Sequence, residues 1–150
     1  MDTSRIATVK PVDEAEAAGQ VAKLFEDIKR TKGIDFIPNF WRVLATNPML
    51  LEAVWTELKT VMHPEVAGRT ARLDPVTREM IALAVSATNG CAYCINSHTA
   101  SAQKLGMDHE TLGEVMAIVG LFNQTNAIAD GYQVMPDVRP GEDESGKVRE

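Results

Sequence analysis

Two Asx-Pro pairs show where helices begin in this chain. Asn47-Pro48 and Asp74-Pro75 each place a capping side chain directly before a proline, which the first helical turn tolerates because it needs no backbone N–H there. Each pair opens a stretch whose apolar residues recur three or four positions apart, the first to about Met62 and the second to about Thr88. This period predicts two amphipathic helices.

Other start and stop signals predict the remaining helices. Asp13 is placed to cap a helix that runs to about Lys32, with Glu16 completing a capping box and Gly33 ending it. A short helical piece follows from Pro38.

The last helices follow the Asn89-Gly90 turn. One helix is predicted from about Cys91 to Leu105, and Asp108 caps another that continues to about Tyr132, a break at Gly120 being the alternative. Because no stretch alternates with a period of two, the fold class predicted is an all-α domain of six or seven helices. We place this domain at residues 1–135, with its core motif at 75–105, and a flexible charged tail at 136–150.

Composition excludes several classes of function. A net charge of −6 without a basic stripe argues against a nucleic-acid partner, and no apolar run is long enough to cross a bilayer. The N-terminus has no segment of signal-peptide type, so we expect a cytoplasmic protein. In that compartment a structural disulfide is disfavoured, and a CxxC pair points to redox catalysis or metal binding.

The chain's two cysteines lie within one short motif. Cys91, Cys94 and His98 are spaced i, i+3 and i+7, which places all three on one face of a helix. Cys91 falls in the first turn, where the helix dipole favours a thiolate, and Cys94 has an imidazole one turn away.

A carboxylate precedes this motif on the neighbouring helix. Glu79 begins the apolar stretch 80–87, which is typical of a helix buried in a domain or at an interface. If the two helices pack antiparallel after the tight turn, Glu79 lies nearer His98 than Cys91 and can exchange a proton with it.

Two other interpretations stay open at this point. The cysteines could be small core residues without chemistry. Alternatively, Cys91, Cys94 and His98 could bind zinc, with Glu79 or a distant histidine as the fourth ligand.

The stretch REMIALAVSATNGCAYCINSH, residues 78–98, resembles the AhpD-like alkylhydroperoxidase branch of the carboxymuconolactone decarboxylase superfamily. The family pattern is a glutamate, a CxxC twelve residues later and a histidine four after the second cysteine, here Glu79, Cys91, Cys94 and His98. Residues 38–54 are also similar to the peroxidase-related members, and the resemblance covers roughly 36–125.

The resemblance implies an all-helical fold assembled as trimers or hexamers, and a thiol-dependent peroxidase acting in antioxidant defence. By this pattern Cys94 is the peroxidatic thiol, Cys91 is the proton donor and resolving thiol, and Glu79 with His98 forms the proton relay. Neither a metal nor an organic cofactor is expected, and a thiol or dithiol donor would supply the electrons. The dipole argument instead favours Cys91 as the more acidic thiol, so the two lines differ on which sulfur attacks first.

This sequence departs from the family's best-known enzymes at one position. They carry a second histidine between the cysteines, where this chain has Tyr93, a weak base that can still donate a hydrogen bond as an auxiliary residue. Two alternative functions therefore remain: a non-catalytic redox-sensing oligomer, and a carboxymuconolactone decarboxylase-like acid–base enzyme that uses Glu79 and His98.

Overall fold

All regular structure in the described part of the chain, residues 7–138 and 140 of a computed structural model, is helical. A single 3-10 turn at Glu14–Glu16 precedes six α-helices: α1 (Gly19–Lys32), α2 (Asn39–Leu44), α3 (Pro48–Met62), α4 (Pro75–Thr88), α5 (Ala92–Lys104) and α6 (His109–Gly131). The all-α prediction is confirmed. Of the predicted tail at 136–150, residues 139 and 141–150 lie outside the described residues.

The predicted capping side chains occupy their places. Asn47 Oδ1 accepts the N–H of Leu50 at the start of α3, and Asp108 Oδ1 accepts the N–H of Thr111 at the start of α6. Asp74 caps α4 in the same way, accepting the N–H of Thr77. Each bond satisfies one of the N–H groups that a helix leaves without an internal partner.

The prediction for Asp13 was wrong. Asp13 makes no capping hydrogen bond and precedes only the 3-10 turn, while its carboxylate pairs with Arg42. Ala17 and Ala18 are both extended, so the chain leaves the helical conformation between the 3-10 turn and α1. A predicted single helix is thus a turn followed by a shorter helix.

The chain divides into two compact units, Met1–Arg78 and Glu79–Glu150, called here the N-terminal and C-terminal units. In the N-terminal unit, the periodic apolar faces of α1, α2 and α3 meet in one buried cluster. Trp41 and Trp55 pack edge to face at its centre, with ring centroids 5.3 Å apart. Both tryptophans are almost fully buried. The other buried members are Phe25, Ile28, Ile37, Ala45 and Leu51.

The C-terminal unit buries fewer apolar side chains than the N-terminal unit. Among its described residues, the fully or nearly buried apolar side chains are Leu83, Ala102 and Met107. Helix α6 runs unbroken through Gly120, so the alternative break there is absent, and none of its 23 residues is buried.

Large apolar side chains of the C-terminal unit remain at its surface. Helices α4 and α6 flank an open groove of about 290 Å³ whose lining includes Val85, Ile118 and Phe122, each more than half exposed. Despite this apolar character, none of the helices in the described residues combines the length and hydropathy needed to span a membrane.

Candidate redox site

The site is built on the hairpin formed by α4 and α5 in the C-terminal unit. After α4 ends, Gly90 adopts a φ of 70°, a left-handed conformation that glycine adopts without steric cost. The N–H of Cys91 then donates to the carbonyl of Ser86 at 3.0 Å. The turn thereby returns the chain alongside α4 with Cys91 at the start of α5.

The two cysteines form a disulfide with Cα atoms 5.3 Å apart. Both residues are half-buried. Cys91 is the N-cap residue of α5, just outside the first turn in which it was predicted, and its Sγ accepts the N–H of Cys94 at 3.2 Å. The pair therefore lies at a helix N-terminus, where negative charge on sulfur is favoured.

Glu79 and His98 meet as the antiparallel packing of α4 and α5 requires. Nδ1 of His98 lies 2.7 Å from Oε2 of Glu79, and the two side chains are only 25% and 10% exposed. An ionised carboxylate can only accept, so Nδ1 donates and Nε2 is left as the acceptor of a neutral ring. The pair thus holds one tautomer of an imidazole on the same helix as Cys94.

Tyr93 and Ser86 complete the surroundings of the pair. Tyr93 is 44% exposed on the first turn of α5. Ser86 is buried and its hydroxyl donates to the carbonyl of Ala82, while its own carbonyl accepts from Cys91. Sequence reasoning did not single out Ser86, because an anchoring carbonyl leaves no signal in the side chain.

No cluster of three or more histidine, cysteine, aspartate and glutamate side chains within residues 7–138 and 140 is arranged to hold a metal ion. The sulfur atoms of Cys91 and Cys94 are bonded to each other in the disulfide. All four residues of the predicted motif lie on one hairpin, where Cys91 is bonded to Cys94 and Glu79 contacts His98.

A comparison with known protein families identifies the family of this chain. The model of the carboxymuconolactone decarboxylase family matches residues 54–136, more than half of the chain. The chain belongs to the carboxymuconolactone decarboxylase family. The matched segment contains α4, α5 and α6, and with them the whole of the hairpin site.

A solved structure of the same type is the alkylhydroperoxidase AhpD core from Rhodospirillum rubrum. It superposes with a TM-score of 0.81 and is 46% identical, covering 89% of this chain and 96% of that one. The AhpD-like resemblance and the all-helical fold predicted from it are confirmed.

The curated relatives of this chain are less similar to it in sequence. They include proteins named alkyl hydroperoxide reductase AhpD from Streptomyces griseus, 28% identical over 61% of this chain and 51% of that protein, and from Streptomyces coelicolor, 30% identical over 60% and 50%. The chain spans about half the length of these curated relatives.

Proposed function

We propose that this chain is a thiol-dependent peroxidase that reduces alkyl hydroperoxides or hydrogen peroxide with the Cys91–Cys94 pair. The observation that carries the proposal is a cysteine pair joined as a disulfide on the helix that also holds His98, itself hydrogen-bonded to Glu79. The Streptomyces relatives, which are named alkyl hydroperoxide reductases, support the same class of chemistry.

In the first step, the Cys94 thiolate attacks a peroxide oxygen. The O–O bond breaks, Cys94 becomes a sulfenic acid, and the alkoxide leaves as an alcohol after taking a proton from the Cys91 thiol. His98 accepts the original proton of Cys94, and Glu79 orients the imidazole and stabilises its charged form. Tyr93 can donate a hydrogen bond to the departing oxygen.

In the second step, the Cys91 thiolate attacks the sulfur of the sulfenic acid. The S–O bond breaks, the disulfide forms, and hydroxide leaves as water with the proton held by His98. An external thiol or dithiol then returns two electrons. This cycle uses neither a metal nor an organic cofactor.

We infer further that the working form is a homo-oligomer, a trimer or hexamer by the resemblance. Its support is the apolar surface of the C-terminal unit, where Ile81, Val85 and Phe122 are about half exposed or more. A second copy of this chain, presenting a surface of the same apolar character, would remove those side chains from water.

The test is a peroxide titration of the fully reduced protein with free thiols counted by mass spectrometry. Hydrogen peroxide and an alkyl hydroperoxide should each convert both thiols to the Cys91–Cys94 disulfide, and a dithiol should restore them through repeated cycles. Cys94→Ser should abolish turnover, whereas Cys91→Ser should stop at a sulfenic acid. Two thiols that stay free in excess peroxide would contradict the proposal.

The same variants distinguish the proposed peroxidase from the two alternative functions. A redox sensor would form the disulfide once without multiple turnovers, and its assembly would change on oxidation. A decarboxylase-like enzyme using Glu79 and His98 would keep its activity when both cysteines are replaced by serine.

A further inference from the structure

The end of α4 and the start of α5 share one residue, Cys91. After the left-handed Gly90, the N–H of Cys91 donates to the carbonyl of Ser86, five residues earlier, at 3.0 Å. This is the hydrogen bond that closes a helix terminated by glycine. The carbonyl of Cys91 accepts the N–H of Ile95 at 2.9 Å at the start of α5, for which Cys91 is the N-cap residue. The backbone of Cys91 therefore closes one helix and opens the next.

The end of α5 has the same motif without this overlap. Gly106 is also left-handed, and the N–H of Met107 donates to the carbonyl of Ala102 at 3.0 Å. A separate residue, Asp108, caps the helix that follows. A side-chain carbon placed at Gly90 or at Gly106 would meet no atom within 4 Å beyond its chain neighbours. Alanine at either position therefore strains the backbone without a steric clash, which makes the two glycines a matched pair.

The disulfide and the turn hold Cys91 from two sides. The S–S bond joins Cys91 to Cys94 on α5, and the hydrogen bond to Ser86 joins it to α4. While the disulfide is closed, Cys91 cannot leave α4 without displacing the start of α5. Once the disulfide is reduced, the turn can open at the cost of one backbone hydrogen bond. Strain in the turn therefore destabilises the disulfide form more than the dithiol form.

We infer that Gly90 is a positioning residue for the redox pair, because the turn that it allows fixes Cys91 against α4 and so favours the disulfide over the dithiol. This inference rests on the proposed redox function of the pair. The coupling is reciprocal, so a turn that stabilises the disulfide is itself stabilised when the disulfide closes. Gly106 has no such coupling, since the hydrogen bond of its turn involves no cysteine.

The first experiment measures the thiol–disulfide equilibrium of the full chain with glutathione. Two glutathione molecules give two electrons and two protons to the disulfide and become one oxidised glutathione, so mixtures of the two glutathione forms set the redox state of the pair. Mass spectrometry after acid quenching and alkylation measures the fraction of each form of the chain. Gly90→Ala should shift the equilibrium toward the dithiol about fivefold or more, because alanine disfavours the left-handed conformation.

Two further variants distinguish positioning from a general loss of stability. Gly106→Ala introduces strain of the same kind in the same unit. It should lower the urea midpoint of the disulfide form and leave the equilibrium with glutathione close to the wild-type value. Gly90→Asn should also stay close to wild type, because asparagine tolerates the left-handed conformation. An unshifted equilibrium in Gly90→Ala, or an equal shift in Gly106→Ala, would overturn the inference.

The second experiment uses the wild-type chain and so does not depend on the folding of a variant. Amide hydrogen exchange, followed by nuclear magnetic resonance, compares the disulfide form with the dithiol form. The N–H of Cys91 should exchange faster in the dithiol form, because reduction allows the turn to open. The N–H of Met107, in the equivalent hydrogen bond at the end of α5, should exchange at the same rate in both forms. Equal protection of the Cys91 N–H in the two forms would overturn the inference.

Neither experiment uses a peroxide. A chemical oxidant can form the disulfide and glutathione can reduce it, so a negative result in these experiments leaves the peroxide titration of the proposed function unaffected. Conversely, a cysteine pair that does not react with peroxide can still show the coupling between the turn and the disulfide.

Discussion

The two units of this chain use their apolar residues in opposite ways. The N-terminal unit gathers seven buried apolar side chains into one cluster around Trp41 and Trp55. The described residues of the C-terminal unit include three buried apolar side chains, and α6 has no buried residue. The candidate redox site lies entirely in the second unit. The larger apolar core and the candidate site thus lie in different units, and the unit with the candidate site has large apolar side chains exposed at its surface.

Removing one core side chain from each unit should have the largest effect on stability. Trp55→Ala should lower the free energy of unfolding by about 3–5 kcal/mol, because it opens a large cavity between α1 and α3. Leu83→Ala, also fully buried, should cost about 2–3 kcal/mol, at the low end for such a change. Urea denaturation measures both, and a larger loss for Leu83→Ala would reverse the ranking of the units.

The second change tests the polar support of the N-terminal core. Asp27 accepts from Trp55 Nε1 and Lys59 Nζ, each at 2.8 Å. Asp27→Asn should cost about 1–3 kcal/mol, because the ammonium of Lys59 loses its charged partner. Asp35→Asn, at an exposed position, is the control and should change stability little.

The pH dependence of Asp27 has a definite sign. Burial alone would raise the pKa of Asp27, but the hydrogen bonds from Lys59 and Trp55 outweigh it and hold the pKa below the ordinary 3.8. A carboxyl with a lowered folded-state pKa stabilises the fold above its unfolded-state value and loses that contribution as the pH falls through the folded-state value. Wild type should therefore lose part of its advantage over Asp27→Asn below about pH 4. An advantage that grows on acidification would contradict this.

The smallest effect on folding is expected at the surface of α6. Ile118→Ser, at a side chain 57% exposed, should change the unfolding free energy of dilute protein by less than about 0.5 kcal/mol. It should nevertheless weaken self-association in sedimentation experiments, because the replaced side chain lies on the apolar groove. Met49→Ser, at a side chain 77% exposed in the N-terminal unit, should alter neither quantity. If Ile118→Ser leaves self-association unchanged, the groove does not take part in the assembly.

Most of the fold could be predicted because helix starts are encoded locally. Asn47, Asp74 and Asp108 each cap the helix that they were predicted to cap. The prediction for Asp13 failed because its carboxylate pairs with Arg42, a residue distant in sequence. Long-range competition of this kind leaves no trace in a local pattern.

The candidate site was predictable in its residues and less so in its details. Helical spacing and antiparallel packing were enough to bring Glu79 to His98. The capping role of Cys91 and the carbonyl of Ser86 depend on where α5 starts, which a pattern places only to within a residue or two. The catalytic roles of the four residues stay predictions.

Bonds stabilise the hairpin at two levels. At the turn these are the backbone hydrogen bond from Cys91 to Ser86 and the disulfide, and further along it is the contact between Glu79 and His98. Inserting or deleting one residue between these levels would rotate everything beyond it by about 100° and shift it by about 1.5 Å. Either displacement would separate the imidazole from its carboxylate. The number of residues between the two levels is therefore set by the geometry of the hairpin.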